Sequence, residues 1–269
     1  LRYLVPFAII VILVAWIGVP MAYCFLWSAV DPDYPWSYPD PLPQKLSLFH
    51  WRYILENTNI LGAVGSSFFI AGCTTILSFL LALPTSYALG RRQLKGTGFF
   101  KTLMLLPLVL PGMAMAIFLG RMLMKMGLSG TYTGVILAHT LMGVPYMMRI
   151  LVVSFESVPQ DLVDAASNLG ARAFTRFAEV YFPMVLPGLV AGSIFTFINS
   201  MEEFNLTFII GLPTVKTIPT VLFSYLGESF ARTRASVVSL ILLIPNLTLL
   251  LITERFIKTE YMGAALGKM

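Results

Sequence analysis

The chain has 269 residues, 57% of them hydrophobic and only 12% charged, with a mean hydropathy of +0.81. Soluble domains carry about 25% charged residues, so half that share excludes an ordinary soluble domain. A net charge of +5 and a pI near 9.3 also occur in nucleic-acid binders, but no basic stripe or RNA-binding motif accompanies them, so no nucleic-acid partner is expected.

A helix needs about 20 mostly apolar residues to cross a bilayer, and six stretches meet that need. Leu4 to Val30 contains no Lys, Arg, Asp, Glu or His. It is too long for a removable signal peptide and lacks a small-residue cleavage site. Residues 31–45 then hold Pro32, Pro35, Pro39, Pro41 and Pro43 among Tyr34, Trp36 and Tyr38, which favours extended backbone with aromatics at headgroup level. Asn57 to Gly90 is the second span. Thr102 to Gly120 is the third, with Pro107 and Pro111 placed to open the helix and expose carbonyls around Gly112.

Met126 to Met148, the fourth span, is interrupted only by His139, which reads as a buried, hydrogen-bonded structural residue. Val180 to Met201 and Ala235 to Thr253 complete the set, and Ser224 to Phe230 between them is a candidate short surface helix. Cys24 and Cys73 lie inside spans, where a disulfide framework has no purpose. Met113, Met115, Met122, Met124 and Met126 read as flexible packing. The two histidines fall in separate segments and make no metal site, so no metal or catalytic residue is expected. Lys and Arg concentrate in cytoplasmic loops; eleven fall on the side of Arg91, Arg92, Lys95 and Lys101 and seven on the other, which puts both termini inside.

The polar segment from Glu156 to Pro183 lies between spans four and five on that same side. Ser157 can cap a helix whose first turn holds Pro159 and Asp161. Leu162, Ala165, Ala166 and Leu169 then share a shallow apolar face, and Gly170 supplies the left-handed stop. Arg172 to Glu179 starts a second short helix, which Pro183 and Pro187 end or kink.

These residues resemble the cytoplasmic motif of ABC importer permeases: Glu-Ala-Ala, three residues, Gly, nine residues, Ile, one residue, Leu-Pro. Asp164, Ala165 and Ala166 are followed three residues later by Gly170 and nine later by Val180, with Phe182 and Pro183 closing. Every spacing is kept; Asp164, Val180 and Phe182 are the departures. The likeness covers roughly Leu46 to Glu260 and is closest to polyamine-type subunits, on Gly65-Ser66-Ser67, Leu137-Ala138-His139 and Ser200-Met201-Glu202-Glu203. Similar subunits serve ferric iron, aminophosphonates and opine-like compounds.

The resemblance implies an all-α, multi-pass permease of the bacterial inner membrane. Residues 1–45 would form a first helix and Pro-rich loop, and residues 46–269 a five-helix core around the 156–183 loop. It implies a second permease subunit, two cytoplasmic ATPase subunits that bind the ATP, and a periplasmic binding protein. Asp164, Ala165, Ala166, Gly170, Arg172 and Pro183 are then the ATPase-coupling residues. No Gly-rich phosphate cradle occurs in the chain, so it is expected to be non-catalytic and without a cofactor of its own.

For the solute pathway the candidates are Glu202, Glu203, Asn205, Thr207, Pro111 and Gly112. Counting from Pro187 at 1.5 Å per residue puts Glu203 about 24 Å up a core of about 30 Å, where acids face a cavity, a partner or the interface. An amine-bearing solute is favoured on this count, although Gly112 stands where polyamine-type relatives often carry an acid. A secondary transporter would need charged coupling residues at mid-span, and none of the six spans has one at its centre. A membrane enzyme would need a nucleophile with its base, and no Asp or Glu lies at helical spacing beside His139. Both stay as less favoured alternatives, which co-purification with an ATPase would separate from an importer.

Overall fold

The computed structural model describes residues 4–37, 39–92, 95–228 and 230–266. The described residues form helices joined by turns and irregular loops, with one antiparallel bridge between Val30 and Leu46. Five helical segments are long and apolar enough to cross a membrane: Val5–Ser28, Ile60–Arg91, Tyr132–Glu156, Ala173–Glu202 and Arg232–Ile252.

The expected third span is not one helix. Residues 97–125 form α4 (Thr97–Met104), α5 (Leu106–Val109) and α6 (Gly112–Lys125). Proline has no N–H to donate and pushes the preceding residue out of the helical region. Pro107 therefore sits in the first turn of α5, and Leu110 is extended (φ −77°, ψ 141°) ahead of Pro111, the N-cap of α6. At about 1.5 Å per residue, 14-residue α6 reaches only about 21 Å of a core of about 30 Å.

The chain divides into two compact units. The first takes residues 1–64 and 217–245. It holds α1 (Leu4–Ser28), α2 (Phe49–Asn57), the start of α3 (Ile60–Arg91), α11 (Ile218–Phe223) and the first part of α12 (Arg232–Leu266). Its Pro-rich loop folds back rather than running free. The Asp31 N–H donates to the Lys45 carbonyl, Ser47 N–H donates to Ala29, and Lys45 pairs with Asp31 at 3.2 Å. The Asp33 N–H and then Lys45 hold the Asp31 carboxyl below the usual carboxylate range. Trp36 is buried between Tyr23 and Trp27 (ring centroids 5.6 and 4.8 Å). The expected surface helix at 224–230 begins earlier, as α11 from Ile218. The Thr220 side chain caps its start by accepting the Thr217 N–H at 2.9 Å, and a π-helical turn at Ser224–Glu228 follows.

The second unit takes residues 65–216 and 246–269 and carries most of α3, α4 to α6, α7 (Tyr132–Glu156), α8 (Gln160–Asn168), α9 (Ala173–Arg176) and α10 (Phe182–Glu202). Antiparallel α7 and α10 pack along their lengths. Small residues every fourth position on α10 allow this: Gly188, Gly192, Thr196 and Ser200 meet Ser154, Met147, Gly143 and His139 of α7 in turn. A Cβ on Gly192 would lie 2.9 Å from the Met147 sulfur, and one on Gly143 would lie 2.6 Å from Ser78 Oγ of α3. Pro183 and Pro187 do not end this span. A π-helical turn at Phe177–Tyr181 precedes Pro183, which sits in the first turn of α10 where a missing N–H is harmless, and Pro187 lies inside the helix.

Candidate functional site

The loop joining α7 to α10 is built to hold one short helix out from the body. Ser157 does not cap α8; its hydroxyl donates back to the Ser154 carbonyl, and α8 starts at Gln160 with Pro159 as N-cap. At the other end Gly170 is left-handed (φ +81°), as the loop's sequence requires. Ala171 N–H reaches the Ala166 carbonyl at 3.0 Å and Gly170 N–H the Ser167 carbonyl at 2.9 Å, the paired bonds of a Schellman stop. Arg176 locks the turn by donating to Ser167 Oγ (3.1 Å) and the Ala171 carbonyl (3.3 Å).

Burial separates the two faces of α8. Val163 is 7% exposed and joins the core formed by Leu151, Phe155, Val158 and Tyr181. Leu162, Ala165 and Leu169 face outward, Leu169 at 88% exposure, and Phe174 on α9 is 81% exposed. Asp164 is exposed and accepts from Gln160 Nε2 at 2.9 Å, while Ala166 is half-buried. Arg172 is exposed and has no ion pair among the described residues; Pro183 is exposed at the foot of α10. An apolar pair this exposed, next to an acid and a free cation on a rigid turn, is a surface suited to a protein partner.

The pathway candidates gather around the break after α10. Asn205 and Gly112 are neighbours: a Cβ on Gly112 would lie 3.0 Å from Asn205 Nδ2. Pro111 is exposed at the N-cap of α6. Glu203 is half-buried and its carboxylate accepts the Leu206 N–H at 3.0 Å, so it closes the turn after α10. Glu202 is exposed and accepts from Asn246 Nδ2 of α12 at 2.8 Å. Thr207 is fully buried and its hydroxyl meets His139 Nε2 at 3.0 Å, while His139 Nδ1 meets Ser200 Oγ at 2.8 Å. His139 thus ties α7 to α10 and to the π-helical turn at Thr207–Gly211. Among the described residues no three His, Cys, Asp or Glu side chains gather in one place.

Several contributors gave no sequence signal as site residues. Arg91 counted only as a loop charge, yet it donates to the Val158 carbonyl and to Gln160 at the entrance of α8. Tyr181 and Val163 read as ordinary apolar positions, and Asn246 lies 44 residues from the acid it holds.

Residues 75–259, well over half of the chain, match the family described as the binding-protein-dependent transport system inner membrane component. The chain belongs to that family. The permease is 29% identical over 164 residues to the sulfoquinovosyl glycerol transport system permease of Agrobacterium fabrum, covering 61% of this chain and 58% of that protein. It is 28% identical over 210 residues to the molybdenum transport system permease of Haemophilus influenzae, covering 72% and 92%. Two solved structures of bacterial ABC transporters share the fold. One is of a transporter that imports the acidic polysaccharide alginate, with TM-score 0.75, 16% identity, and 95% and 96% coverage. The other is an alginate transporter in complex with a periplasmic protein bound to an alginate pentasaccharide, with TM-score 0.72, 13% identity, and 94% and 93% coverage. The permease is therefore a non-catalytic, multi-pass membrane component of a transport system. Sugar and molybdenum systems, not polyamine systems, are the ones these relatives are named for, so the closeness to polyamine-type subunits read from the motifs is not carried by them.

Proposed function

We propose that the permease forms the solute pathway of a bacterial ATP-driven importer, with both termini in the cytoplasm and α8 docked on an ATPase subunit. A second permease, a second ATPase subunit and a periplasmic binding protein complete the assembly, and ATP is bound and hydrolysed by the partners. The observation that carries this is the exposed apolar surface of Leu162 and Leu169, at the two ends of a helix fixed by its Gly170 stop, with Phe174 exposed on α9 just beyond. Asp164 supplies a charge for an arginine on the ATPase, Ala165 and Ala166 allow close approach, and Arg172 offers the opposite charge.

The solute in this proposal is neutral or anionic and polar rather than a polyamine. Glu202 and Glu203 each accept a hydrogen bond within the chain, a structural use for both acids that calls for no amine. The names of the relatives point the same way. Pro111, Gly112 and Asn205 would line the pathway at the opened backbone, with the two acids at its rim and Thr207 held behind them by His139. Calorimetric titration of the binding protein with spermidine, molybdate and an oligosaccharide tests this; tight spermidine binding alone refutes it.

The docking element is tested with Gly170→Leu. No atom lies within 4 Å of a Cβ built there, so the cost comes from the left-handed backbone alone, about 1–2 kcal/mol. The variant is expected in the membrane at normal amount, with ATPase subunits lost on purification. ATPase retention and hydrolysis rate equal to wild type would show that α8 is not the docking element.

A further inference from the structure

We propose that Arg91 is a positioning residue that clamps the inner end of α3 to the docking helix, so that displacement of α8 is delivered to the α3 span as well as to α10. The inference rests on α8 being the docking element.

Arg91 is the last residue of α3 and spends its guanidinium on three other segments. Nη1 donates to the Val158 carbonyl at 3.0 Å, Nη2 to Gln160 Oε1 at 2.5 Å, and Nε to the Tyr181 hydroxyl at 3.3 Å. The guanidinium also lies over the Tyr181 ring, 5.2 Å from its centroid. Gln160 passes the contact on, since its own amide donates to Asp164 Oδ1. A chain of bonds therefore runs from the end of α3 through the first turn of α8 to the acid on its exposed side. None of the acceptors is a carboxylate, so this is not an ordinary ion pair but the use of a planar donor set to fix three directions at once.

The turn that carries Arg91 is itself seated for this role. Tyr87, one turn back, packs edge-on against Phe155, Phe177 and Tyr181 at 5.5, 5.9 and 5.3 Å. Between them Gly90 lets α3 approach α7 so closely that a Cβ would lie 2.9 Å from that of Phe155. Without Arg91 the aromatic contacts would still pack α3 against the α7 body, but no other hydrogen bond among the described residues links α3 to α8. The next residue, Arg92, carries the same charge, is exposed, and has no ion pair among the described residues. It separates the geometry of Arg91 from its charge.

The test uses the complete transporter with its ATPase subunits, purified and reconstituted, with Cys24 and Cys73 replaced by Ser. Spin labels are placed on Asn168 of α8 paired with Leu81 of α3, and on Asn168 paired with Phe195 of α10, all half-buried or exposed positions. Distances are measured before and after trapping with ATP and vanadate. In the wild type both pairs should keep their distance, because both spans follow α8. In Arg91→Met the 168–81 distance should shift or broaden on trapping while the 168–195 distance holds, with ATPase subunits still bound. Arg91→Lys should behave like Arg91→Met, since an ammonium cannot serve three fixed acceptors, and it replaces that variant if the Met form does not accumulate. Arg92→Met should match the wild type. Unchanged distances in both Arg91 variants would overturn the clamp. So would equal changes in both label pairs, which mark general loosening, or the same change in Arg92→Met. Absence of ATPase subunits from the wild-type preparation would overturn the docking role of α8 and the clamp with it, whereas their loss only from the Arg91 variants would make Arg91 a docking support and overturn the clamp alone.

Discussion

Replacing His139 by Ala should destabilise the permease without touching α8. Both ring nitrogens are bonded, to Ser200 Oγ at 2.8 Å and Thr207 Oγ1 at 3.0 Å, and all three side chains are buried. Interhelical polar contacts inside membranes average about 0.6 kcal/mol and reach about 1.7, so two such bonds account for about 1–3 kcal/mol. The emptied imidazole volume adds a cavity cost of about 1–2 kcal/mol, for a total of about 2–5 kcal/mol. Reversible unfolding in mixed detergent micelles, followed by circular dichroism, measures it directly. The triple variant His139→Leu, Ser200→Ala, Thr207→Val removes donors and acceptors together and should regain part of the loss, because no hydroxyl is left unpaired. A single variant that unfolds at the wild-type midpoint, or a triple variant no better than His139→Ala, would refute this account of the junction.

Glu202→Gln and Glu203→Gln should leave the solute concentration for half-maximal uptake unchanged, since each amide can still accept the bond its carboxylate accepts now; a rise of about tenfold in vesicle uptake, the loss of a charge-assisted contact, would make the acids part of the solute site. Gly98→Cys, at an exposed position with no atom within 4 Å of its Cβ, should react with an impermeant thiol reagent only from the cytoplasmic side. Labelling in intact cells from the periplasm would reverse the orientation drawn from the basic residues.

How much was legible in the sequence depended on how local each cause was. Gly170 and the apolar positions of α8 could be read because a left-handed stop and a helical period are decided within a turn or two. The start of α8 was misplaced at Ser157, a residue equally able to cap the helix after it or close the one before it; its hydroxyl closes α7. Pro107 and Pro111 announce an opening in the third span, and Leu110 is extended because Pro111 follows it; the further break at Leu105 (φ −87°, ψ −7°), which makes three helices of the span, carries no such local signal. Arg91 lay beyond sequence reading, since its acceptors are 67 to 90 residues away. The same distance hides the bond between Glu202 and Asn246.

Stiffness is distributed unevenly in the second unit, and the distribution follows from side-chain size. Along α10 the small residues Gly188, Gly192, Thr196 and Ser200 bring its backbone against α7, and a close-packed seam resists sliding because every displacement drives a side chain into a neighbour. The α8 loop leaves α7 and returns as α10, so a push on α8 would be applied to both members of that seam at once. Ser86 of α3 adds a bond to the Met148 carbonyl at 3.2 Å, and Arg91 a second attachment nearer the loop. By contrast α4 and α5 bury no residue, and the breaks at Leu105 and Leu110 interrupt their helical hydrogen bonds. On the proposed docking of α8, a force entering there would reach α7, α10 and α3 through these contacts, and the proline-broken segment next to Gly112 would be the part left to yield. A pathway that opens and closes needs both properties side by side: a stiff part to transmit and a soft part to move against.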